Sequence, residues 1–282
     1  MSKKGKRRRF ILKTSKHFFL IFGALVFMFP LYWLISTSLK HEKQIFILPP
    51  QLIPNPLIID NYTRMWRHFP FMRFLGNTAF VTLMGVIGVV MTAPLVAYAF
   101  ARLKWPGRNI WFMIMMATMM IPSQVTMIPL YIIFKEIKWI DTFYPLWVPA
   151  WFGGGAFSIF LVRQFLLTIP KEMEESAFID GANHFQIYYF IMLPLVYPPL
   201  TTIAIFRFMN SWNDFMGPLI YINNQSKYTL SLGLRLFQQQ TGTTEYGMMM
   251  AATVLMVLPV IIFFFIGQKQ FIEGVVLTGM KN

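Results

Sequence analysis

Residues 174 to 194 read EESAFIDGANHFQIYYFIMLP, an acidic and then amphipathic stretch set between two long apolar runs. From Lys171 to Ala182 four carboxylates, Glu172, Glu174, Glu175 and Asp180, stand against a single lysine. The whole chain has 11 acidic residues and 25 Lys and Arg, so this concentration of acid needs a cause. Pro170 suits the first turn of a helix, and acidic residues in the opening turns complement the positive end of its dipole. Asp180-Gly181 supplies a stop, with glycine at a position that can take positive φ. The result is a helix of about ten residues, too short to be stable alone and therefore held by packing. Met173, Phe178 and Ile179 offer apolar anchors beside the carboxylates, while Ser176 and Ala177 permit close approach. A partner with a groove, basic at one end, fits such a surface. After Gly181, Asn183 can cap a second helix in which Phe185, Tyr188, Tyr189 and Met192 form an interfacial stripe, ended by Pro194.

The rest of the chain explains what this stretch interrupts. Of 282 residues 56% are hydrophobic and 13% charged, about half the charge of an ordinary soluble domain. Apolar runs of roughly 20 residues are what a bilayer core requires. Spans are expected at 17–39, 74–101, 109–134, 143–165, 195–222 and 246–267. They are long and lack the alternation of barrel strands, so helices are the way to satisfy their backbone in hydrocarbon. The expected architecture is an all-α membrane protein of six transmembrane helices, with a basic tail over 1–16, a transmembrane domain over 17–282 and a polar loop over 170–194.

Eight Lys or Arg fall within residues 1–16. A nucleic-acid arm has that composition, but so does the cytoplasmic flank of a first span under the positive-inside rule, which is the reading adopted here. The run after it is longer than a signal-peptide core, and Phe29, Pro30, Tyr32 and Trp33 do not resemble a cleavage site. With six spans both termini are cytoplasmic, and so is the acidic stretch. Segment 40–73, rich in proline, is expected to be an extended external connection resting on the membrane interface.

Chemistry is sparse. The chain has no cysteine, and its histidines at 17, 41, 68 and 184 show no ligand spacing. There is no phosphate loop, H-E-x-x-H or dinucleotide fingerprint, so no cofactor or metal is expected and any ATP is hydrolysed elsewhere. Gly153-Gly154-Gly155 reads as a bend or a close helix contact. Inside the fifth span Arg207 and Asp214 are seven residues apart, near one helix face, and with Asn210 and Asn213 they are the residues expected to line a polar path; interhelical polar bonding is the alternative. One Asp and one Arg are too little for an ion-driven transporter. A channel filter repeat and the clustered carboxylates of a membrane transferase are both absent from the sequence.

The pattern E-E-S-A-x-x-D-G-A, followed nine residues on by Ile191-Met192-Leu193-Pro194, resembles the EAA loop of ABC-importer permeases, with Ser176 in place of one alanine. Trp212-Asn213-Asp214, Lys227-Tyr228-Thr229-Leu230 with Gly233, and the ending FIEGVVLTGMKN extend the resemblance over nearly all of 15–282, toward the carbohydrate branch that includes a maltose-importer permease. The terminal Asn282 departs from the usual glycine. The resemblance implies a type I importer permease fold in a prokaryotic plasma membrane. It implies as partners a second, different permease, two ATP-binding subunits, an extracellular solute-binding protein and the surrounding lipid. The substrate it implies is a sugar, an oligosaccharide by preference, with a solute such as glycerol phosphate, or an ATP-independent channel, as alternatives. Its coupling helix falls on Glu174, Glu175, Ser176, Ala177, Asp180 and Gly181, with Glu175 the ionic contact and Ala177 in the ATPase groove. Gln238, Gln239, Gln240, Thr241 and Thr243 correspond to an outer loop reaching the binding protein's sugar cleft, and the C-terminal 279–282 segment approaches the ATPases.

Overall fold

The computed structural model describes residues 3–239 and 245–279, with side chains described over 12–237 and 245–265. Among the described residues the regular secondary structure is helical. Four segments are long and apolar enough to cross a bilayer: Leu12–Ser38, Phe71–Ala101, Tyr144–Leu166 and Tyr246–Phe265. Two further pairs pass the same test only together, Arg108–Met120 with Ser123–Glu136 and His184–Leu195 with Tyr197–Trp212. Counting each pair as one span gives up to six.

The principal helices are labelled α1 (Lys3–Ser38), α2 (Asp60–His68), α3 (Phe71–Ala101), α4 (Arg108–Ala117), α5 (Ser123–Glu136), α6 (Ala156–Leu166), α7 (Glu172–Ile179), α8 (His184–Leu195), α9 (Tyr197–Trp212), α10 (Met216–Tyr221) and α11 (Tyr246–Gly279). The expected straight span 109–134 is bent by 104° at Ile121-Pro122, where proline withdraws a backbone donor. The expected span 195–222 differs more. The helical pair α8–α9 begins earlier, at His184, and bends by 72° between Leu195 and Tyr197, at the start of the expected span, and α9 ends at Trp212, before the separate α10. Gly153, Gly154 and Gly155 form the expected bend, all three at positive φ, between the turn at Val148–Trp151 and α6.

The chain divides into two compact units. The first comprises residues 1–71 and 234–258. Here the proline-rich segment is not simply extended, because beyond Pro56 it winds into α2, with Asp60 in the first turn and Arg67 and His68 in the last. Met65 is fully buried, and buried Asn61 donates to the carbonyls of Ser38 (2.9 Å) and Lys40 (2.8 Å). Lys40 is also buried, its ammonium 4.2 Å from the Trp33 ring centroid and 2.5 Å from the Gln51 carbonyl. Arg64 pairs with Glu245 at 2.6 Å.

The second unit comprises 72–233 and 259–282. Its main core joins Ala93, Ala97 and Ala101 of α3 to Val162 and Leu166 of α6, Ile187 and Met192 of α8, and Ile203 of α9. Alanines four residues apart make one face of α3 shallow, and in a membrane such close approach is what favours helix association. Ala177 of α7 belongs to the same core, so the short acidic helix is fastened to the spans by packing.

Candidate functional site

Local sequence builds α7 as expected at its C-terminal end. Gly181 takes φ +86°, its N–H donates to the Phe178 carbonyl (3.0 Å), and that of Ala182 donates to the Ala177 carbonyl (2.9 Å). This pair of bonds is the Schellman arrangement that satisfies a helix's last carbonyls. At the N-terminal end Glu172, Glu174 and Glu175 lie in the first turn. Asn183 opens α8 with a reciprocal cap: its side chain accepts from the Gln186 N–H (2.9 Å) and the Gln186 side chain accepts from the Asn183 N–H (2.8 Å).

The residues of α7 divide by face. Glu174 and Ala177, three apart, turn inward. Glu175, Ser176, Phe178, Ile179, Asp180 and Gly181 are exposed, and Ile179 is 86% exposed. Ala177 therefore sits in the chain's own core rather than on the face offered to a partner groove. The apolar projection on that face is Ile179, one helical turn after Glu175.

Glu174 meets Arg102, the residue that follows α3. The Arg102 Nε lies 3.3 Å from a Glu174 carboxylate oxygen, and the two side chains are 4% and 12% exposed. Arg102 Nη2 also donates to the carbonyls of Leu166 and Ile169, each at 2.6 Å, just where α6 gives way to the loop. One guanidinium thus ties α3, the end of α6 and α7 together. Burial raises the Glu174 carboxyl above its ordinary value, with Arg102, His184 and Lys171 pulling the other way.

The interfacial stripe expected on α8 is split. Phe185 and Tyr189 are exposed and stacked with centroids 6.3 Å apart, whereas Tyr188 and Met192 are buried. Ile187–Met192 is π-helical, and that wider turn carries 188 and 192 around to the core.

Of the four expected path residues, Arg207 and Asp214 lie close enough to interact electrostatically, whereas Asn210 and Asn213 are exposed. Arg207 donates to the Leu146 carbonyl at 2.8 Å and is packed so closely against Gly85 that a Cβ there would lie 2.7 Å from its Nε. Asp214 lies beyond the end of α9 and accepts from the Gly217 N–H (3.0 Å) in the first turn of α10. Asn210 and Asn213 are on the exposed face, and Asn213 returns a bond to its own Met209 carbonyl (2.8 Å). The seven-residue spacing presumed a helix continuous to residue 222; α9 instead ends at Trp212, and Asp214 meets Arg207 from the turn before α10.

Of the outer-loop residues, Gln238 and Gln239 have helical backbone in the turn Leu236–Gln239, and Gln240, Thr241 and Thr243 lie outside the described residues. So do 280–282 of the C-terminal segment. A feature missed in the sequence is the tie between loops 137–143 and 222–228. Asp141, at φ +60°, accepts from the N–H groups of Asn223 (3.1 Å) and Asn224 (2.8 Å) and from the Lys227 ammonium (2.9 Å). Burial pushes Asp141 up, but these hydrogen bonds outweigh it and hold the carboxyl below its ordinary value.

Apolar helices long enough to cross a bilayer are thus fastened through one buried guanidinium to a short acidic helix with an exposed outer face. Residues 84–275 match the family described as binding-protein-dependent transport system inner membrane component, and the chain belongs to that family. It is 30% identical over 264 residues to the arabinooligosaccharides transport system permease protein AraQ of Halalkalibacterium halodurans, covering 93% of this chain and 94% of that one. It is 29% identical to the sn-glycerol-3-phosphate transport system permease protein UgpE of Escherichia coli, over 94% and 96% of the two chains. In fold it is similar to a chain of a bacterial ABC transporter involved in import of the acidic polysaccharide alginate, with TM-score 0.80, 24% identity and coverage of 95% and 98%. The chain is thus an ABC transporter permease of the type I importer fold, an inner-membrane transport subunit rather than an enzyme.

Proposed function

We propose that this chain is one of two non-identical permeases of an ATP-driven importer, and that its α7 is the helix through which two ATPase subunits move the spans. The observation that carries this reading is the division of α7: Glu174 and Ala177 anchor it to the chain's own core, and Glu175, Phe178 and Ile179 remain exposed. A coupling element needs both properties, because allostery requires contacts that differ between two states and a rigid path from them to the site. Glu175 supplies the ionic contact and Ile179 the apolar one. Arg102 carries displacement of α7 into α3 and α6.

The substrate proposed is a sugar, an oligosaccharide by preference, delivered from outside by a solute-binding protein. Support comes from the relative named for arabinooligosaccharides, and from a similar alginate transporter solved with a pentasaccharide-bound periplasmic protein, at TM-score 0.67 and 16% identity. The relative named for glycerol phosphate supports a phosphorylated solute as the second reading.

Uptake of labelled oligosaccharides and of glycerol phosphate by cells carrying Glu175→Ala and Glu175→Arg tests both parts. Loss of uptake with normal membrane insertion and reduced copurification of the ATPase subunits is expected. Full uptake by both variants contradicts the coupling role, and transport of glycerol phosphate alone contradicts the sugar.

A further inference from the structure

The loop between α3 and α4 carries two adjoining cavities, one of mixed polar and apolar lining and one almost wholly apolar, that share Trp105 as a common wall. One, of about 340 Å³, is lined by Lys104, Trp105, Arg108 and Asn109 among others. The other, of about 460 Å³, is lined by Phe100, Trp105, Trp111, Ile114 and Met115. Arg108 is held at the mouth of the first cavity by two bonds, Nη1 to the Leu103 carbonyl (3.0 Å) and Nε to the Asn109 side chain (3.4 Å). Lys104 is exposed and, among the described residues, has no hydrogen-bond or ion-pair partner. Trp105 is set by a bond from its indole N–H to the Ala99 carbonyl (3.4 Å) and by its contact with the Phe100 ring at 5.5 Å.

The order of these features follows the depth profile of a bilayer. Two cations and a tryptophan lie where two spans emerge, the level at which headgroups and amphipathic rings meet. From Arg108 the apolar groove follows α4 to Ile114, about 9 Å along the helix axis, and Trp111 and Ile114 on its wall are 59% and 48% exposed. A free phosphate meets only the cations of the mixed cavity, and a fatty acyl chain only the apolar walls. A molecule with an anionic head joined to an apolar chain fills both.

We infer that the α3–α4 loop is a binding site for one anionic phospholipid, its phosphate held by Lys104 and Arg108 and an acyl chain lying against Trp111, Ile114 and Met115. The site shares a loop with Arg102, so an occupied site braces the segment from which the guanidinium reaches Glu174. Bound lipid therefore stabilises the docked position of α7.

The full chain, reconstituted in vesicles of equal phosphatidylglycerol and phosphatidylcholine and released into mild detergent, is weighed intact by native mass spectrometry to count retained lipid. One phosphatidylglycerol is expected on the wild-type chain. Lys104→Gln with Arg108→Gln should lower its retention roughly 30-fold, as expected for two cations at an anionic surface. Lys104→Arg with Arg108→Lys should keep it, and Trp111→Ser should weaken it with both cations intact. Equal retention of the two lipids overturns the inference, as does unchanged phosphatidylglycerol retention in the Gln pair. Displacement by millimolar inorganic phosphate together with indifference to Trp111→Ser identifies a phosphate pocket and overturns it as well.

Discussion

Arg102 and Glu174 form an ion pair at 3.3 Å that joins the end of the helix Phe71–Ala101 to the helix Glu172–Ile179, with both side chains nearly excluded from solvent. Removing one partner of such a pair leaves an uncompensated charge, at a cost of about 3–5 kcal/mol, whereas replacing both with apolar groups costs far less. Arg102→Ala should therefore lower the thermal stability of the purified permease more than Arg102→Met combined with Glu174→Leu. The combined variant should nonetheless lose transport, because apolar packing does not replace the two bonds to the Leu166 and Ile169 carbonyls. A melting series with a parallel uptake assay checks both statements, and equal melting of all variants would remove the pair from the account.

At Gly181 the φ of +86° is the constraint and space is not, since a Cβ there meets nothing within 4 Å. A non-glycine L-residue in that region costs about 1–2 kcal/mol. Gly181→Ala should lower stability by that amount, and Gly181→Asn by less, since asparagine tolerates the left-handed region. Thermal melting of the two variants measures the difference; an unchanged Gly181→Ala protein would contradict the Schellman termination.

At Gly85 space is the constraint. An added Cβ lies 2.7 Å from Arg207 Nε and 2.9 Å from Nη2, so the guanidinium that donates to the Leu146 carbonyl must shift. Gly85→Ala should destabilise by about 1–3 kcal/mol, the usual range for overpacking. Adding Arg207→Met should recover part of that loss, and a double-mutant cycle showing simple additivity would refute the coupling.

The carboxyl of Asp141 stays below its ordinary value because Lys227 and two backbone N–H groups favour the ionised form over the penalty of burial. A depressed folded value means that the stabilisation is complete above the unfolded value of 3.8 and is lost as the pH falls through the folded one. Acidification below pH 3.8 should loosen the tie between loops 137–143 and 222–228, and Asp141→Asn should melt lower at neutral pH while losing that acid step. Hydrogen exchange at Asn223 and Asn224 follows it directly, and protection independent of pH would contradict the assignment.

Much of this was legible in the sequence, and the failures have physical causes. The helical membrane class follows from long apolar runs, and the C-terminal end of the acidic helix follows from Gly181; its start at Glu172, with Lys171 as N-cap, leaves Pro170 outside the first turn in which it was expected. The inward or outward direction of each α7 side chain was not legible, because a stretch of eight residues bearing both apolar and acidic groups fits a partner groove or the chain's own core equally well. Arg102 looked like one more positive charge beside a span, and only the fold brings it to Glu174, 72 positions along the numbering. The continuous helix expected from Arg207 through Asp214 failed because no strong signal marked the end of α9 after Trp212; Asp214, read as a span residue, lies in the turn before the next helix and accepts from its Gly217 N–H. The bend within α8–α9 and its π-helical turn likewise depend on backbone geometry that hydropathy does not record.

The central claim is that α7 presents Glu175 and Ile179 to an ATPase subunit while Ala177 faces the chain's own core. The absence of native cysteine makes it directly measurable. Single cysteines introduced as Ile179→Cys and Ala177→Cys can be crosslinked with a short thiol-reactive reagent in membranes holding the assembled importer. The account predicts a permease–ATPase adduct from Ile179→Cys that changes in yield with ATP, and none from Ala177→Cys. An adduct from Ala177→Cys with none from Ile179→Cys would contradict it.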